Sequence, residues 1–102
     1  MVNRHKQLVD IYTTVKEVRR LSRYSLMQAC AMQPVILAHI KLYPDRKNDD
    51  ENYIIEHLQT LSYYMHCFKG KLMTVDMRDR YYISLEKLEY FLPRTIDNFK
   101  NK

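Results

Sequence analysis

The chain contains very little glycine and proline and no tryptophan. Its 102 residues include one glycine and three prolines, the residues that most often mark the turns between short strands. A single glycine also excludes a glycine-rich phosphate-binding loop, which needs several glycines. Leu, Met, Lys, Arg and Glu are abundant instead, and these residues favour helices. The composition therefore predicts an all-helical protein.

Cysteine and histidine are too few and too scattered to indicate a metal site or a disulfide framework. Cys30 and Cys67 are the two cysteines, and each lies in an apolar helical stretch, where a free cysteine behaves as a small hydrophobic residue. The histidines are His5, His39, His57 and His66. They form no His-Glu-x-x-His motif and no pair four residues apart. Because no nucleophile is accompanied by a base either, we expect no enzyme activity, no cofactor and no small-molecule substrate.

No apolar run is long enough to cross a membrane. The longest run, from Ala29 to Tyr43, is interrupted by Gln33, Pro34 and His39, and it is too short and too polar to span a bilayer. The first residues lead into an amphipathic pattern, which predicts that no signal peptide is present. We therefore expect a soluble, cytoplasmic protein without a membrane partner.

Positive charge exceeds negative charge and is unevenly distributed. The formal net charge is +5. Residues 1–24 carry six basic against two acidic side chains, and residues 69–102 carry eight against five, whereas residues 41–56 carry three against five. Such asymmetry favours an anionic partner, either nucleic acid or an acidic protein surface. A charged surface that serves solubility alone is the alternative.

Apolar residues recur every three to four positions, which is the period of an amphipathic helix. The seams that they predict are Leu8, Ile11, Val15 and Val18 in the first helix, Ile54, Leu58, Leu61, Met65 and Phe68 in the third, and Tyr81, Leu85, Leu88 and Leu92 in the fourth. The pattern predicts four helices, over residues 3–23, 25–42, 50–68 and from 74 or 76 to 92. Pro34 lies inside the second helix, where we expect a kink and not a break. Pro93 either kinks the fourth helix or begins a last turn.

The predicted helix ends carry suitable residues. Pro44 ends the second helix, Asn48 or Asp49 caps the third, and Gly70 fits the C-terminal stop of the third. Four amphipathic helices joined by short loops predict one domain over residues 1–102, an antiparallel four-helix bundle. Further apolar residues lie off the predicted helix seams and suggest a second apolar face between subunits. They are Ile55, Tyr63, Tyr64, Tyr82 and Tyr90.

The first helix carries the clearest candidate binding site, a stripe of cations. Its members are Lys16, Arg19, Arg20 and Arg23. They are spaced by three or four positions and therefore share one side of a helix, with Glu17 predicted to lie off the stripe. The planar guanidinium of arginine donates two parallel hydrogen bonds to phosphate. Tyr12 and Tyr24 border the stripe and could stack on bases.

Four later cations are candidates for the same surface. They are Lys69, Lys71, Arg78 and Arg80. Asp76 and Asp79 are adjacent to the last two, so scattered surface charge explains those arginines equally well. The eight cations together are the predicted nucleic-acid-binding residues.

Three stretches resemble the accessory variability determinant family of diversity-generating retroelements, four-helix-bundle proteins related to those encoded by ribosomal-RNA intervening sequences. Residues 23–28, RYSLMQ, are similar to the Arg-aromatic-Ser/Thr-Leu-x-Gln stretch that opens the family's second helix. Residues 58–73 resemble its Leu-rich third helix and the turn that follows, and residues 80–88 resemble its fourth helix. The chain departs from the family at Pro34 and at residues 93–99, where the family often has small residues and tryptophan.

The resemblance implies a basic, ring-shaped homopentamer without catalytic activity. Such a protein would bind a reverse transcriptase and template RNA, with cDNA or an RNA–DNA hybrid as further ligands, and would support mutagenic cDNA synthesis. The stripe on the first helix would contact phosphates, and the later four cations would extend the positive surface or meet an acidic patch on the polymerase. The alternative function is a small phage or mobile-element adaptor or inhibitor that docks a basic helical face on an acidic host protein.

Overall fold

All regular secondary structure in the computed structural model, which describes residues 3–100, is helical. The helices are α1 (Arg4–Tyr24), α2 (Leu26–Cys30), α3 (Gln33–Leu42), α4 (Asp49–Lys69) and α5 (Val75–Lys100). No strand occurs among these residues. The prediction of an all-helical protein is confirmed.

The second predicted helix is divided into α2 and α3. Between them, Ala31 and Met32 form a turn in which their amides donate to carbonyls three residues earlier, at 3.1 and 3.0 Å. Pro34 consequently lies in the first turn of α3. A proline there loses no helical hydrogen bond, whereas in a helix interior its ring clashes with the carbonyl four residues earlier. The prediction of a kink without a break was therefore wrong.

Apart from the C-terminal end of α5, the other helix ends lie close to their predicted positions. The bounds of α1 and α4 each differ from the predicted ones by one residue, and α5 continues through Pro93 to Lys100. Asn48 caps α4 in a capping box: its side chain accepts from the amide of Glu51 at 2.8 Å, while the carboxylate of Glu51 accepts from the amide of Asn48. Ser25 ends α1 and caps α2. Local capping thus determines where these helices begin.

Each long helix packs one apolar side against its neighbours. Helix α1 contacts α2, α3 and α5, and α4 contacts the same three helices. The predicted apolar seams of α1, α4 and α5 all lie in the shared core. Their members are Leu8, Ile11, Val15, Val18, Ile54, Leu58, Leu61, Met65, Phe68, Tyr81, Leu85, Leu88 and Leu92. This packing is that of a helical bundle.

The apolar residues predicted off the seams do not form one uniform exposed face. Ile55 is buried, and Tyr64 and Tyr82 are partly buried against the core. Tyr63 and Tyr90 are exposed, at 61% and 52%. The exposed apolar face is therefore narrower than the sequence suggests, because residues beside the predicted seams also pack against the core of this small bundle.

Candidate nucleic-acid interface

Most of the predicted binding residues lie at one end of the molecule. Ser22 Oγ near the end of α1 is 2.8 Å from Tyr81 Oη near the start of α5. The ring of Phe68 at the end of α4 lies 5.6 Å from the ring of Tyr81, centre to centre. The ends of α1 and α4 and the start of α5 therefore meet. We call this region, residues 19–27 and 68–80, the basic end; it contains seven of the eight predicted cations, and Lys16 lies one turn before it.

Arg19 is held by an acidic residue of another helix. Its Nε and Nη2 donate to both carboxylate oxygens of Glu89 on α5, at 2.6 to 3.2 Å. Hydrogen bonding to Glu89 raises the pKa of Arg19 despite partial burial. The side chain is 21% exposed, so a phosphate would have to displace Glu89 to bind it. Arg19 therefore joins α1 to α5 and is a weak candidate for ligand contact.

Arg20 and Arg80 pair with acids on their own helices. Arg20 donates to Glu17, so Glu17 does lie within reach of the stripe. Arg80 Nε donates to Asp76 Oδ2 at 2.9 Å. The arginine side chains are 59% and 63% exposed, and exposed pairs of this kind contribute little to stability because water screens them. Both guanidinium groups therefore remain accessible to a stronger anionic partner.

The remaining five candidates are exposed: Lys16, Arg23, Lys69, Lys71 and Arg78. Within residues 3–100, none of the five forms an ion pair. Lys16 Nζ lies over the ring of Tyr12, 4.7 Å from its centre, so the predicted stacking surface of Tyr12 is partly covered. Tyr24 is 81% exposed and could accept a base. Lys69 Nζ donates to Gln33 Oε1 at 3.2 Å.

The turn after α4 holds Lys71 in a left-handed conformation, with φ of 66°. The amide of Lys71 donates to the carbonyl of Phe68 at 2.9 Å, and the amide of Leu72 donates to that of Cys67 at 3.0 Å. These two bonds define a Schellman motif, in which the left-handed residue is usually glycine. The chain's one glycine, Gly70, is the C-cap and has φ of −81°. The predicted stop at Gly70 is confirmed, but the left-handed residue is a lysine.

The sequence pattern did not reveal a cluster of apolar side chains exposed at the basic end. Its members are Tyr24, Met27, Leu72, Met73 and Val75, exposed by 40% to 81%. The available signal was the composition of the connection between α4 and α5, where apolar residues replace the polar ones usual in turns. We call these five side chains the apolar tip.

A buried carboxylate lies at the opposite end of the molecule. Glu51 accepts hydrogen bonds from Arg4, whose Nε is 2.9 Å from Glu51 Oε2, and from the hydroxyl of Tyr43. Burial raises the pKa of Glu51, but the hydrogen bonds from Arg4, Tyr43 and the amide of Asn48 outweigh it and lower the pKa below its ordinary value. Both oxygens are satisfied within the fold, which fits a structural role.

Comparison with known proteins adds no family to this geometry. No protein-family model, no curated protein and no solved structure matches the chain. In the part of the chain that the structure describes, no helix has the length and hydropathy needed to cross a membrane. Over the same residues, no three metal-ligating side chains lie together. A function must therefore be argued from charge, exposure and hydrogen bonding at the basic end.

Proposed function

We propose that this chain is a non-enzymatic RNA-binding bundle that acts as the accessory protein of a reverse transcriptase in a diversity-generating retroelement. The observation that carries the proposal is the gathering of cations at the basic end, where Arg23, Lys69, Lys71 and Arg78 are exposed. Arginine and lysine in such a group suit a phosphate backbone. The link to a reverse transcriptase rests on the resemblance of residues 23–28, 58–73 and 80–88.

The distribution of acids strengthens the positive field at this end. Residues 18–44 contain no Asp or Glu, and neither do residues 57–75. Arg23, Lys69 and Lys71 lie in these two stretches, so their charge is not compensated by sequence neighbours. Each phosphate contact should contribute about one unit to the log–log slope of affinity against salt.

The finer architecture that we propose is an antiparallel four-helix bundle, with α2 and α3 together as the second helix. Two contacts between α1 and α5 support it: Arg19 binds Glu89, and the ring of His5 lies 6.5 Å from that of Phe99. His5, near the start of α1, thus lies beside Phe99, near the end of α5, and the later residue Arg19 lies beside the earlier residue Glu89. We further propose self-association into a homopentamer, supported by the exposed side chains of α4 and α5. These are Tyr63, Ile83 and Tyr90.

Charge reversal at two exposed arginines tests RNA binding. In the variant Arg20→Glu/Arg23→Glu, we expect weaker binding of a fluorescein-labelled single-stranded RNA and a salt slope reduced by about two. Fluorescence anisotropy over a potassium chloride series measures both quantities. Arg19 is unsuitable for this test, although it belongs to the predicted stripe, because reversing it would also break its contact with Glu89.

The matched control is Lys6→Glu/Lys41→Glu, which changes net charge equally at exposed positions distant from the basic end. We expect the control to bind RNA within about twofold of the natural chain, as surface substitutions away from the site should. If Arg20→Glu/Arg23→Glu retains both affinity and salt slope with an unchanged helical circular dichroism spectrum, the RNA-binding proposal fails.

A protein-binding adaptor or inhibitor, of phage or mobile-element origin, is the second candidate function. The apolar tip favours it, because aliphatic side chains gain nothing from a phosphate backbone. The two functions differ in whether nucleic acid copurifies and in the size of the salt slope.

A further inference from the structure

The connection between α4 and α5 is both exposed and apolar. Leu72 and Met73 are exposed by 58% and 40%, and Val75, the first residue of α5, is exposed by 75%. A connection that serves only to reverse the chain is usually polar, since exposed apolar surface favours aggregation. These side chains therefore call for a partner that removes them from water.

A second pair of apolar side chains lies at the same end. Tyr24 and Met27, at the junction of α1 and α2, are 81% and 50% exposed. Ser22 Oγ of α1 lies 2.8 Å from Tyr81 Oη of α5, so the end of α1 lies beside the start of α5. The molecule is only 22 Å by 21 Å across its shorter axes, so both pairs of helix ends share one small surface. The two connections that carry the apolar tip therefore lie at the same end of the molecule.

Cations surround the tip on the sides of α1 and α4. Arg23, Lys69 and Lys71 are exposed there, in stretches of sequence without acids. On the side of α5, Arg78 is exposed, and so are Asp76 and Asp79. The exposed apolar side chains at this end thus have mostly positive neighbours along the chain.

The chemistry of this patch favours a protein over the other anionic partners. RNA offers no aliphatic surface to Leu72 or Met73. An anionic bilayer would place negative charge against this whole end, including Asp76, whose side chain is 74% exposed beside Val75, whereas the carboxylates of a protein segment can lie against the cations of α1 and α4 alone. A protein surface can bury apolar side chains and pair with charges of both signs. We infer that the apolar tip docks an amphipathic protein segment whose apolar face is flanked by carboxylates.

The geometry of the turn supports a docking role. The Schellman hydrogen bond from the amide of Leu72 to the carbonyl of Cys67 fixes the backbone that carries Leu72 and Met73. A preordered turn loses less conformational entropy on binding than a flexible one. Methionine at two of the five positions suits a surface that adapts to its partner. This docking does not require RNA binding. It specifies the surface chemistry that we expect of the protein partner in the proposed function.

Three synthetic helical peptides test the inference with the full chain. The first has a leucine face flanked by glutamates, the second replaces the glutamates with lysines, and the third replaces the leucines with serines. Each carries fluorescein, and binding is measured by fluorescence anisotropy. We expect the leucine–glutamate peptide to bind and the other two to bind at least about tenfold more weakly, because both the apolar contact and the charge pairing are needed.

Two chain variants locate the binding. Leu72→Ser/Met73→Ser should weaken binding of the leucine–glutamate peptide at least about tenfold, as loss of a central apolar contact does. Val35→Ser/Leu37→Ser removes two comparably exposed side chains of α3 and should change affinity less than about twofold. Both variants should keep the natural circular dichroism spectrum, since all four positions are exposed.

Three results would overturn the inference: no binding of the leucine–glutamate peptide, equal binding by both variants, or preferential binding to vesicles of phosphatidylserine and phosphatidylcholine. RNA measurements keep the two proposals separate. We expect Leu72→Ser/Met73→Ser to bind RNA as the natural chain does, so a failure of peptide docking would leave RNA binding standing, and the reverse also holds.

Discussion

Lys71 occupies a backbone conformation that helix ends usually assign to glycine, and the chain's only glycine lies one residue earlier. At Gly70 a side chain would be accepted, because φ is −81° and an added Cβ would meet its nearest neighbour at an ordinary 3.5 Å. At Lys71, with φ of 66°, a side chain is strained by the close approach of Cβ to the following carbonyl. The strained backbone at Lys71 therefore lowers the stability of the fold, and the amino-acid composition does not reveal this cost.

Replacing Lys71 by glycine should stabilise the fold. We expect Lys71→Gly to raise the free energy of unfolding by about 0.5 to 1 kcal/mol, since glycine adopts a positive φ without strain. Urea unfolding followed by circular dichroism measures the change. The control is Lys69→Gly, which removes the same charge from the last residue of α4 and should lower stability, because glycine disfavours a helix. A decrease in stability for Lys71→Gly would contradict this account of the turn.

At the scale of elements, side chains distant in sequence decide how the helices are joined. Arg19 attaches α1 to α5 through Glu89, 70 positions later in the sequence. Glu51 combines two roles, since it completes the capping box of α4 and also binds Arg4 of α1. A single carboxylate thus connects the start of α4 to α1 and to Tyr43, the residue that follows α3.

The stabilisation from Glu51 should depend on pH. Its pKa is lower in the folded state than the ordinary value of 4.5, so the unfolded chain binds a proton first as pH falls. Its contribution is therefore present above about pH 4.5 and is lost as the pH falls through the folded-state pKa. At neutral pH we expect Glu51→Gln to cost about 1 to 3 kcal/mol, because Arg4 loses its buried charged partner.

Urea unfolding at neutral pH and again well below pH 4 tests this dependence. The difference between the natural chain and Glu51→Gln should shrink at the acidic pH. Glu56→Gln, an exposed substitution on the same helix, should change stability by less than about 0.5 kcal/mol at either pH. An equal cost of Glu51→Gln at both pH values would show that the charge of Glu51 is not what stabilises the junction.

At the scale of the whole molecule, different exposed surfaces suit different partners. The basic end and its apolar tip lie where α1 and α4 end, whereas Tyr63, Ile83 and Tyr90 are exposed along α4 and α5. Edge-to-face ring pairs extend the second surface, with Tyr90 at 4.9 Å from Phe91, centre to centre. The two surfaces can therefore serve self-association and partner binding independently.

Self-association should depend on the surface of α4 and α5. We expect multi-angle light scattering to give the natural chain the mass of a closed oligomer, a pentamer in our proposal. Ile83→Glu places a charge in that surface and should yield monomers, because burying an unpaired carboxylate is costly. Leu37→Glu, at a comparably exposed position on α3, should leave the oligomer intact. A monomer mass for the natural chain at working concentration would contradict self-association.

The sequence by itself determined the helices and their buried sides. The period of apolar residues in α1, α4 and α5 and the cap at Asn48 are local signals, and local interactions decide where a helix begins and which side is apolar. Pro34 was the exception among these local signals. Its effect depended on the turn at Ala31 and Met32, which places the proline in the first turn of α3.

Only the tertiary structure decided which cations remain accessible and which apolar residues stay exposed. Arg19 and Glu89 are 70 positions apart, so no helical spacing could pair them, whereas Arg23 has the same local pattern and stays exposed. Leu72 and Leu85 are equally apolar as residues, yet one lies in a connection and the other in the core. Burial and pairing depend on which helices pack together, and that arrangement arises from the sum of long-range contacts and not from any short stretch of sequence.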